Sequence, residues 1–314
     1  MTSPSRRILW WSALVTLAAL AVPVFARATG IEAGPLALLV SFMPWVTLAS
    51  LIPVLLALAA RAWVLAAVAG VVALVCVAWQ VPLFTGGGAG DATLTVATVN
   101  LRFGEADADA VVALVADNDV DILAVSELTP EAESALREAG LMKELRHYVS
   151  RAEDEFSGTG LWARYPVSGV SHLAGFLSQN FSATVALPAG PVTVFAVHPR
   201  APRGVEHSVW EAELKELHSV LAETEGPVIV AGDFNTTRDH AGFRAIEALG
   251  YVDAADQAGT GLAPTFPVGR GLFPPIAIDH VLERETGLAA LETRTVVIPK
   301  ADHKALVVAY GARP

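Results

Sequence analysis

The first 90 residues contain three long stretches without a charged side chain, and these constrain the fold more than any other feature. The stretches cover residues 8–26, 33–60 and 62–90. About 20 apolar residues cross the hydrocarbon core of a bilayer, so even the first stretch is just long enough. The sequence therefore predicts a membrane region, residues 1–84, with three transmembrane helices. The alternative is a buried helical domain of a soluble protein.

Four arginines indicate the orientation of this region. A cytoplasmic N-terminus places Arg6, Arg7 and Arg61 inside and only Arg27 outside, which agrees with the positive-inside rule. Three crossings then place residue 91 onward outside. We therefore expect a multi-pass cell-membrane protein with an extracytoplasmic domain. A signal peptide cleaved near residues 26–28 is the alternative, and it leaves the domain on the same side.

The rest of the chain is acidic and has the composition of a globular domain. After residue 90 there are 17 basic and 31 acidic side chains, a net charge of −14. This composition excludes a disordered chain, a collagen and a disulfide-rich toxin, and the single cysteine, Cys76, cannot form an internal disulfide. A protein that wraps duplex nucleic acid needs a basic surface. The acidic domain therefore disfavours nucleic acid as a partner.

The order of predicted elements indicates an α/β fold. The glycine-rich segment 85–91 is predicted as a flexible linker, followed by a catalytic domain over 92–314. Apolar runs predict strands at 92–99, 121–126, 181–187, 192–197, 227–231, 277–282 and 305–310. Helical spacing and capping residues predict helices at 107–117, 129–140, 208–223 and 243–249. Strands that mix hairpins with helical crossovers indicate two packed sheets with helices outside.

Polar side chains recur where the apolar strands begin or end. A strand end that delivers a carboxylate, an amide or an imidazole is a common way to build a site on a rigid sheet. We expect these residues to form one site. They are Asn100, Glu127, His198, Asp233, Asn235, Asp279, Asp302 and His303.

In the order N, E, H, GDFN, IDH and DH, these residues resemble the endonuclease/exonuclease/phosphatase superfamily, which includes DNase I, exonuclease III, neutral sphingomyelinases and inositol polyphosphate 5-phosphatases. The resemblance covers about residues 92–310, and GDFN at 232–235 is among its most specific parts. It implies a four-layer α/β sandwich of two mixed β-sheets flanked by helices, here preceded by three transmembrane helices. The apolar stretches, the alanine-rich sequence and VHPRAP at 197–202 resemble the membrane-bound actinobacterial branch, which includes a teicoplanin-resistance-associated protein.

The resemblance also implies a metal site. Glu127 resembles the main metal-ligating carboxylate, with Asn100 beside it and Asp302 as a second carboxylate near the metal. Oxygen donors of this kind suit Mg²⁺, Mn²⁺ or Ca²⁺ better than zinc. The expected cofactor is Mg²⁺, with Mn²⁺ as a substitute.

The remaining residues take catalytic roles by the same resemblance. Asp233 resembles the residue that orients or deprotonates the attacking water, and Asn235 resembles one that contacts the phosphate. His303, held by Asp279, resembles the histidine that stabilises the charge of a pentacovalent phosphorane. His198 resembles a residue that binds a non-bridging oxygen or assists the leaving group.

Four further residues deserve separate interpretation. Arg102 stands where the DNA-repair members carry an acidic residue, which weakens any transfer of abasic-site chemistry. Arg200 and Arg203 either meet additional phosphate charge or belong to a solvated loop. His280 is next to Asp279 and is predicted to face the other side of its strand as a structural residue.

The sequence therefore predicts a membrane-anchored, metal-dependent phosphoesterase. Its expected partners are the lipid bilayer and a phosphorylated lipid or small phosphoester substrate, and no protein partner is predicted. An extracytoplasmic nuclease is the alternative enzyme. A catalytically dead receptor or scaffold is the alternative of another class, although none of the expected site residues is missing.

Overall fold

The protein is described here from a computed structural model that covers residues 4–88, 90–202, 207–269, 271 and 275–313. The chain forms two compact units. One consists of Met1–Pro82 with Asp239–Ala241, and the other consists of Leu83–Arg238 with Gly242–Pro314. We call them the helical unit and the sheet unit.

The helical unit contains two helices that are long and apolar enough to cross a membrane, among the residues that the structure describes. These are the first and last of its five full helices. The second predicted crossing is not one helix but three short ones. The five are α1 (Pro4–Thr29), α2 (Pro35–Val40), α3 (Met43–Ala49), α4 (Leu51–Ala59) and α5 (Trp63–Gln80).

Proline explains why the second crossing is broken, and the prediction of three continuous transmembrane helices is corrected accordingly. Helix α2 ends at Val40, four residues before Pro44, where a continuous helix would bring the proline ring against the Val40 carbonyl. Phe42 leaves helical geometry at φ −98° and ψ 17°. Ser50 keeps helical dihedrals between α3 and α4, so 43–59 is a nearly continuous helical segment.

Small side chains predominate inside the helical unit, and most of its large aliphatic side chains are partly or fully exposed. Ala13, Ala57 and Ala66 are buried together between helices. Leu74 and Val64, by contrast, are 70% and 81% exposed. Water-soluble proteins bury their large aliphatic residues first. Small residues at helix contacts and large ones facing out are typical of helices packed in lipid.

The sheet unit contains two mixed six-stranded sheets in its described part. The elements are α6 (Pro82–Thr85), β1 (Leu94–Asn100), α7 (Ala108–Asp117), β2 (Ile122–Ser126), α8 (Pro130–Ala139), α9 (Leu141–Glu144), β3 (His147–Arg151), β4 (Thr159–Ala163), β5 (Val167–His172), β6 (Phe181–Leu187), β7 (Gly190–Val197), α10 (His207–Glu223), β8 (Val228–Asp233), α11 (Ala241–Ala248), β9 (Val252–Asp253), α12 (Ala254–Ala258), β10 (Asp279–Arg284), β11 (Leu288–Val297) and β12 (Lys304–Ala312). The strand orders of the two sheets are β11-β12-β1-β2-β4-β3 and β5-β6-β7-β8-β10-β9. Strands β1 and β2 are parallel, as are β7 and β8, and the other pairs are antiparallel.

Three apolar clusters hold the layers together, and they confirm two mixed sheets flanked by helices. The central cluster joins the sheets, with Val96 from one and Val194 from the other. The neighbouring residue Ala97 faces the opposite way, into a cluster with α7, α8 and α9. A third cluster packs the second sheet against α10 and α11, for example through Leu217. The alternation along each strand thus places apolar side chains on both faces.

The strand directions bring the predicted site residues to one edge. Parallel strands β1 and β2 end at Asn100 and Ser126, and Glu127 follows directly. Strand β8 ends at Asp233, where it pairs with Asp279 at the start of antiparallel β10. Strand β12 runs antiparallel to β1, so the bend directly before it, with Asp302 and His303, lies at the same edge.

The glycine-rich segment packs against α12 within the sheet unit. The Gly87 N–H donates to the Gln257 carbonyl at 3.0 Å, and the Gly261 N–H donates to the Leu83 carbonyl at 2.7 Å. A Cβ atom on Gly86 would lie 2.3 Å from the Gln257 oxygen. The glycine composition, which predicted a flexible linker, instead permits a close backbone contact with α12.

Candidate active site

Asn100 is the last residue of β1, and its side chain lies between the carboxylates of Glu127 and Asp233. Its Nδ2 donates to Glu127 Oε1 and to Asp233 Oδ2, both at 3.0 Å, and the amide is fully buried. Its Oδ1 accepts the Arg102 N–H at 2.8 Å. Asn100 therefore joins carboxylates from the two sheets. Its predicted part in metal ligation stays a prediction, since its oxygen already accepts a backbone donor.

Glu127 occupies a backbone conformation that side chains rarely adopt, with φ at 55°. Such a residue at a strand end is typical of functional sites, where neighbouring contacts offset the strain. The Phe103 N–H donates to Glu127 Oε2 at 2.7 Å. Burial raises the pKa of Glu127 against the opposing effects of its hydrogen bonds from Asn100 and Phe103, and the charge of Asp302 raises it further.

The donor set around Glu127 fits a hard divalent cation. Glu127 and Asp302 both line one cavity of about 470 Å³, and they repel one another electrostatically. A cation between two such carboxylates would relieve this repulsion, and Mg²⁺ and Mn²⁺ prefer oxygen ligands. Glu127 and Asp302 are thus the residues that would hold the metal.

A second group of possible metal donors is better explained by hydrogen bonding. One ligand atom each from Asp233, Asp279 and His303 lies within 4.8 Å of the others. However, His303 Nδ1 is already bonded to Asp279 Oδ2 at 2.8 Å, while His303 Nε2 lies 3.8 Å from Asp233 Oδ2. The group is therefore an aspartate–histidine pair that faces a third carboxylate.

The Asp279–His303 pair favours a protonated imidazole. Burial alone lowers the pKa of His303, but the charges of Asp279 and Asp233 and the hydrogen bond to Asp279 outweigh it and raise the pKa to about 10. Both side chains are buried. His303 therefore presents a positive Nε2–H at neutral pH, as an electrostatic stabiliser of a phosphoryl group requires.

Asp233 is held by the backbone geometry of the GDFN segment. Its Oδ1 accepts the Asn235 N–H at 2.8 Å. Gly232 is required before it, because a Cβ there would lie 1.9 Å from the Val197 carbonyl of the parallel strand β7. Burial raises the pKa of Asp233, while the charge of His303 opposes that effect.

Asn235 has a left-handed backbone, with φ at 48°, which turns its side chain back toward β7. Its Nδ2 donates to the Pro199 carbonyl at 2.9 Å. Asn235 lines the cavity beside Asp233. The structure thus places it where a phosphate contact is possible, and that role stays a prediction.

His198 directly follows β7, and its side chain is buried. Its Nε2 lies 3.7 Å from Asp233 Oδ2 and 4.0 Å from Glu127 Oε1. Burial lowers the pKa of His198, although the charge of Asp233 opposes it. Sequence reasoning missed Asn180, a fully buried residue whose Oδ1 accepts the His198 N–H. Its position directly before the predicted strand 181–187 was the available signal.

Six of the eight predicted site residues line the cavity, and the other two support them from behind. Asn100 and Asp279 are hydrogen-bonded to the lining residues. Arg102 and Arg200 also line the cavity, as do three aromatic residues that sequence reasoning did not single out. Arg203 lies outside the described residues. The three aromatic residues are Phe103, Phe156 and Phe266.

His280 faces the opposite side of β10, as the strand alternation predicts. Its Nδ1 bonds Asp253 Oδ2 at 2.5 Å, and its Nε2 bonds the Thr236 carbonyl at 3.0 Å. Phe234 and Phe243 pack against the ring. His280 is thus a structural residue that holds the loop after GDFN.

Comparison with known proteins gives one family for this arrangement. The model of the Endonuclease/Exonuclease/phosphatase family matches residues 97–303, a span that contains every predicted site residue. No curated protein matches the chain significantly.

Solved structures share the fold at low sequence identity. An endonuclease/exonuclease/phosphatase family protein from Leptotrichia buccalis C-1013-b has a TM-score of 0.56 at 16% identity, over 70% of this chain and 100% of that one. An AP endonuclease from Archaeoglobus fulgidus has a TM-score of 0.57 at 16% identity, over 70% and 100%. A 3'-5' exonuclease from Neisseria meningitidis has a TM-score of 0.53 at 17% identity, over 69% and 99%.

Proposed function

Because the chain belongs to the endonuclease/exonuclease/phosphatase family, we propose that it is a divalent-metal-dependent phosphoesterase anchored in a membrane. We propose a lipid-linked phosphate or phosphodiester as its substrate. One observation carries the reaction type. A single cavity is lined by two carboxylates that suit a hard cation, Glu127 and Asp302, together with Asp233 and the imidazolium of His303.

Glu127 and Asp302 would hold the cation. When bound, Mg²⁺ or Mn²⁺ neutralises charge on the phosphate and lowers the barrier to attack by an anionic or polarised oxygen. The nucleases and phosphatases of this fold act on phosphoesters, where the ester is negatively charged and repels a nucleophile. The remaining residues must therefore position water and stabilise charge.

Asp233 accepts the proton of the attacking water in this proposal. It is buried, it faces both His198 and His303, and its Oδ1 is fixed by the Asn235 N–H. The water oxygen forms the new bond to phosphorus as the ester oxygen departs with the bonding electrons. His303 faces the phosphoryl oxygens with its Nε2–H, and Asp279 keeps that imidazole protonated.

The helical unit supports a membrane location for the substrate. Helices α1 and α5 are long and apolar enough to span a bilayer, and most of their residues are not buried by the rest of the protein. The nearly continuous segment 43–59 has 17 residues, close to the lower limit of about 17 for a spanning helix. We propose that it also crosses, which leaves the sheet unit on the extracytoplasmic side.

The acidic composition favours a lipid or small phosphoester over nucleic acid. The net charge of −14 after residue 90 would repel a polyanion. An extracytoplasmic nuclease is the competing function, and a catalytically dead receptor or scaffold is the non-enzymatic one. These three alternatives predict different outcomes in a single substrate panel.

The test uses the full chain purified in detergent. Hydrolysis of lipid phosphates, lipid diphosphates, sphingomyelin, inositol phosphates and plasmid DNA is measured with Mg²⁺, with Mn²⁺ and with chelator. We expect metal-dependent turnover of a lipid phosphoester. Preferential cleavage of DNA would favour the nuclease, and turnover of none of these substrates would favour the scaffold.

Replacing a carboxylate by a carboxamide tests the metal site in the same assay, with one substitution at the site and one as a control. Glu127→Gln removes a ligand charge, so we expect activity to fall at low Mg²⁺ and to recover partly as Mg²⁺ or Mn²⁺ is raised. Glu292→Gln is the control, because Glu292 is an exposed residue of β11 paired with Arg294. Wild-type turnover in chelator without added metal would overturn the metal-dependent mechanism.

A further inference from the structure

Arg200 lines the active-site cavity on the side of His198 and is held there by two separate contacts. Its guanidinium carbon lies 3.9 Å from the centroid of the Phe156 ring. Its backbone N–H donates to Glu213 Oε2 at 2.6 Å. Both Arg200 and Phe156 are half-buried and line the same cavity. A guanidinium stacked on an aromatic ring keeps its charge while losing part of its hydration.

Glu213 is an unusual support for this arrangement because a carboxylate is almost never fully buried without partners. It lies on α10 and is 1% exposed. Its second oxygen, Oε1, accepts the Leu177 N–H at 2.8 Å, next to the cavity residue Ser178. Glu213 therefore fixes two wall segments of the cavity, the one before β6 and the one after β7.

The electrostatic field of Arg200 reaches both neighbours. Burial raises the pKa of Glu213 and lowers that of His198; the charge of Arg200 opposes the first effect and adds to the second. Stacking on Phe156 leaves the Arg200 side chain with less freedom to lose on binding an anion. A bidentate guanidinium suits phosphate geometry.

The scissile phosphate does not need this cation. In the proposed function its charge is met by the metal held at Glu127 and Asp302 and by His303. Arg200 is an additional positive charge on another wall. We propose that Arg200 forms a subsite for a second anionic group beside the scissile phosphate, so that the substrate class is a diphosphate ester or a phosphoester with an adjacent phosphate. This inference rests on the proposed function for the identity of the first phosphate.

Binding of non-hydrolysable probes tests the subsite without requiring turnover. Methylenediphosphonate and methylphosphonate are titrated calorimetrically into the full chain in detergent with Mg²⁺. We expect the diphosphonate to bind more tightly. In Arg200→Gln the ratio of the two affinities should fall about 10- to 100-fold, as for a lost charge-assisted hydrogen-bond pair. Arg200→Lys, which keeps the charge without the planar fork, should give an intermediate ratio.

Arg294→Gln is the matched control, since Arg294 is exposed on β11 and outside the cavity. It should leave the affinity ratio unchanged. Melting temperatures are recorded for each variant, and the Lys variant decides the matter if the Gln variant is unfolded. Equal losses for both probes, or an unchanged ratio in folded Arg200 variants, would overturn the subsite.

Two hydrolysis assays identify the source of the second phosphate. One measures turnover of a prenyl diphosphate in detergent, and the other measures turnover of inorganic pyrophosphate. A preference for the prenyl ester that Arg200→Gln diminishes indicates a lipid diphosphate, and a preference for pyrophosphate indicates a free diphosphate. If no phosphoester is hydrolysed while the Arg200-dependent preference for diphosphonate persists, the proposed function fails and the subsite stands.

Discussion

Replacing Asp279 by Asn tests the part of the site that depends most on a single charge. The substitution keeps the shape of the side chain and removes its negative charge. Asp279 Oδ2 bonds His303 Nδ1 at 2.8 Å. Among the described residues, the other oxygen, Oδ1, has no hydrogen-bond partner. The change therefore acts most directly on His303. Burial raises the pKa of Asp233 and the charge of Asp279 adds to that rise, so the substitution also lowers the pKa of Asp233.

The size of the effect follows from the pKa of His303. A value of about 10 in place of 6.5 corresponds to a preference for imidazolium of about 5 kcal/mol. Burial opposes this preference, the charge of Asp279 is the largest favourable cause, and that of Asp233 is next. Without Asp279, the largest cause that opposes burial is lost, so the pKa of His303 falls. We therefore expect kcat to fall about 10²- to 10³-fold, the usual cost of losing one electrostatic stabiliser of the transition state.

The pH dependence of kcat should differ between the wild type and Asp279→Asn. In the wild type, the imidazolium persists through neutral pH and is lost as the pH rises through about 10. In Asp279→Asn, the pKa of His303 falls, so activity should be lost at a lower pH and should recover as the pH is reduced. The assay is kcat from pH 5 to 10 at saturating Mg²⁺, with a melting temperature at each pH.

Two results would refute this reasoning. One is a folded Asp279→Asn variant with wild-type kcat at pH 8. The other is full additivity with His303→Asn in a double-mutant cycle, because residues that act as one unit cost little more together than the worse change alone. A lower melting temperature with unchanged turnover would assign the pair a structural role instead.

Three further predictions concern the rest of the molecule. Gly86→Ala should release the segment before β1 from α12, because the added Cβ would lie 2.3 Å from the Gln257 oxygen. The measurement is the rate of proteolytic cleavage in this segment, which should rise. An unchanged cleavage rate would contradict the packed contact. His280→Gln should destabilise the protein by about 3 to 5 kcal/mol, the cost of breaking a buried ion pair. Burial alone would lower the pKa of His280, but the charge and hydrogen bond of Asp253 outweigh burial and the pKa is raised. Burial alone would raise the pKa of Asp253, but the charge and hydrogen bond of His280 outweigh burial and the pKa is lowered. The stability difference between wild type and variant should thus shrink as the pH rises through the raised pKa of His280 or falls through the lowered pKa of Asp253, and a pH-independent difference in denaturation would contradict it. A C-terminal alkaline phosphatase fusion should be active and a C-terminal green fluorescent protein fusion dark, whereas the reverse pattern would mean that the segment 43–59 does not cross the membrane.

The sequence alone determined seven of the twelve described strands and the strand ends at which the chemistry lies. Alternation of apolar residues is local, so strands such as β1, β2 and β8 could be predicted together with the polar residues that end them. Apolar runs without charge likewise identified the helical unit. In the second run, Pro44 was visible in the sequence, yet whether neighbouring helices would accommodate it was not, and the structure shows a break at that point.

Only the tertiary structure decided which polar groups meet. Asn100 bonds Asp233 across 133 residues of chain, and no local periodicity encodes that distance. The same holds for the stacking of Arg200 on Phe156 and for the buried support from Glu213. Charge, burial and the resulting pKa of His303 depend on groups from several elements at once. They exist only after both sheets have packed together, because electrostatic energies depend on distance and desolvation rather than on sequence order.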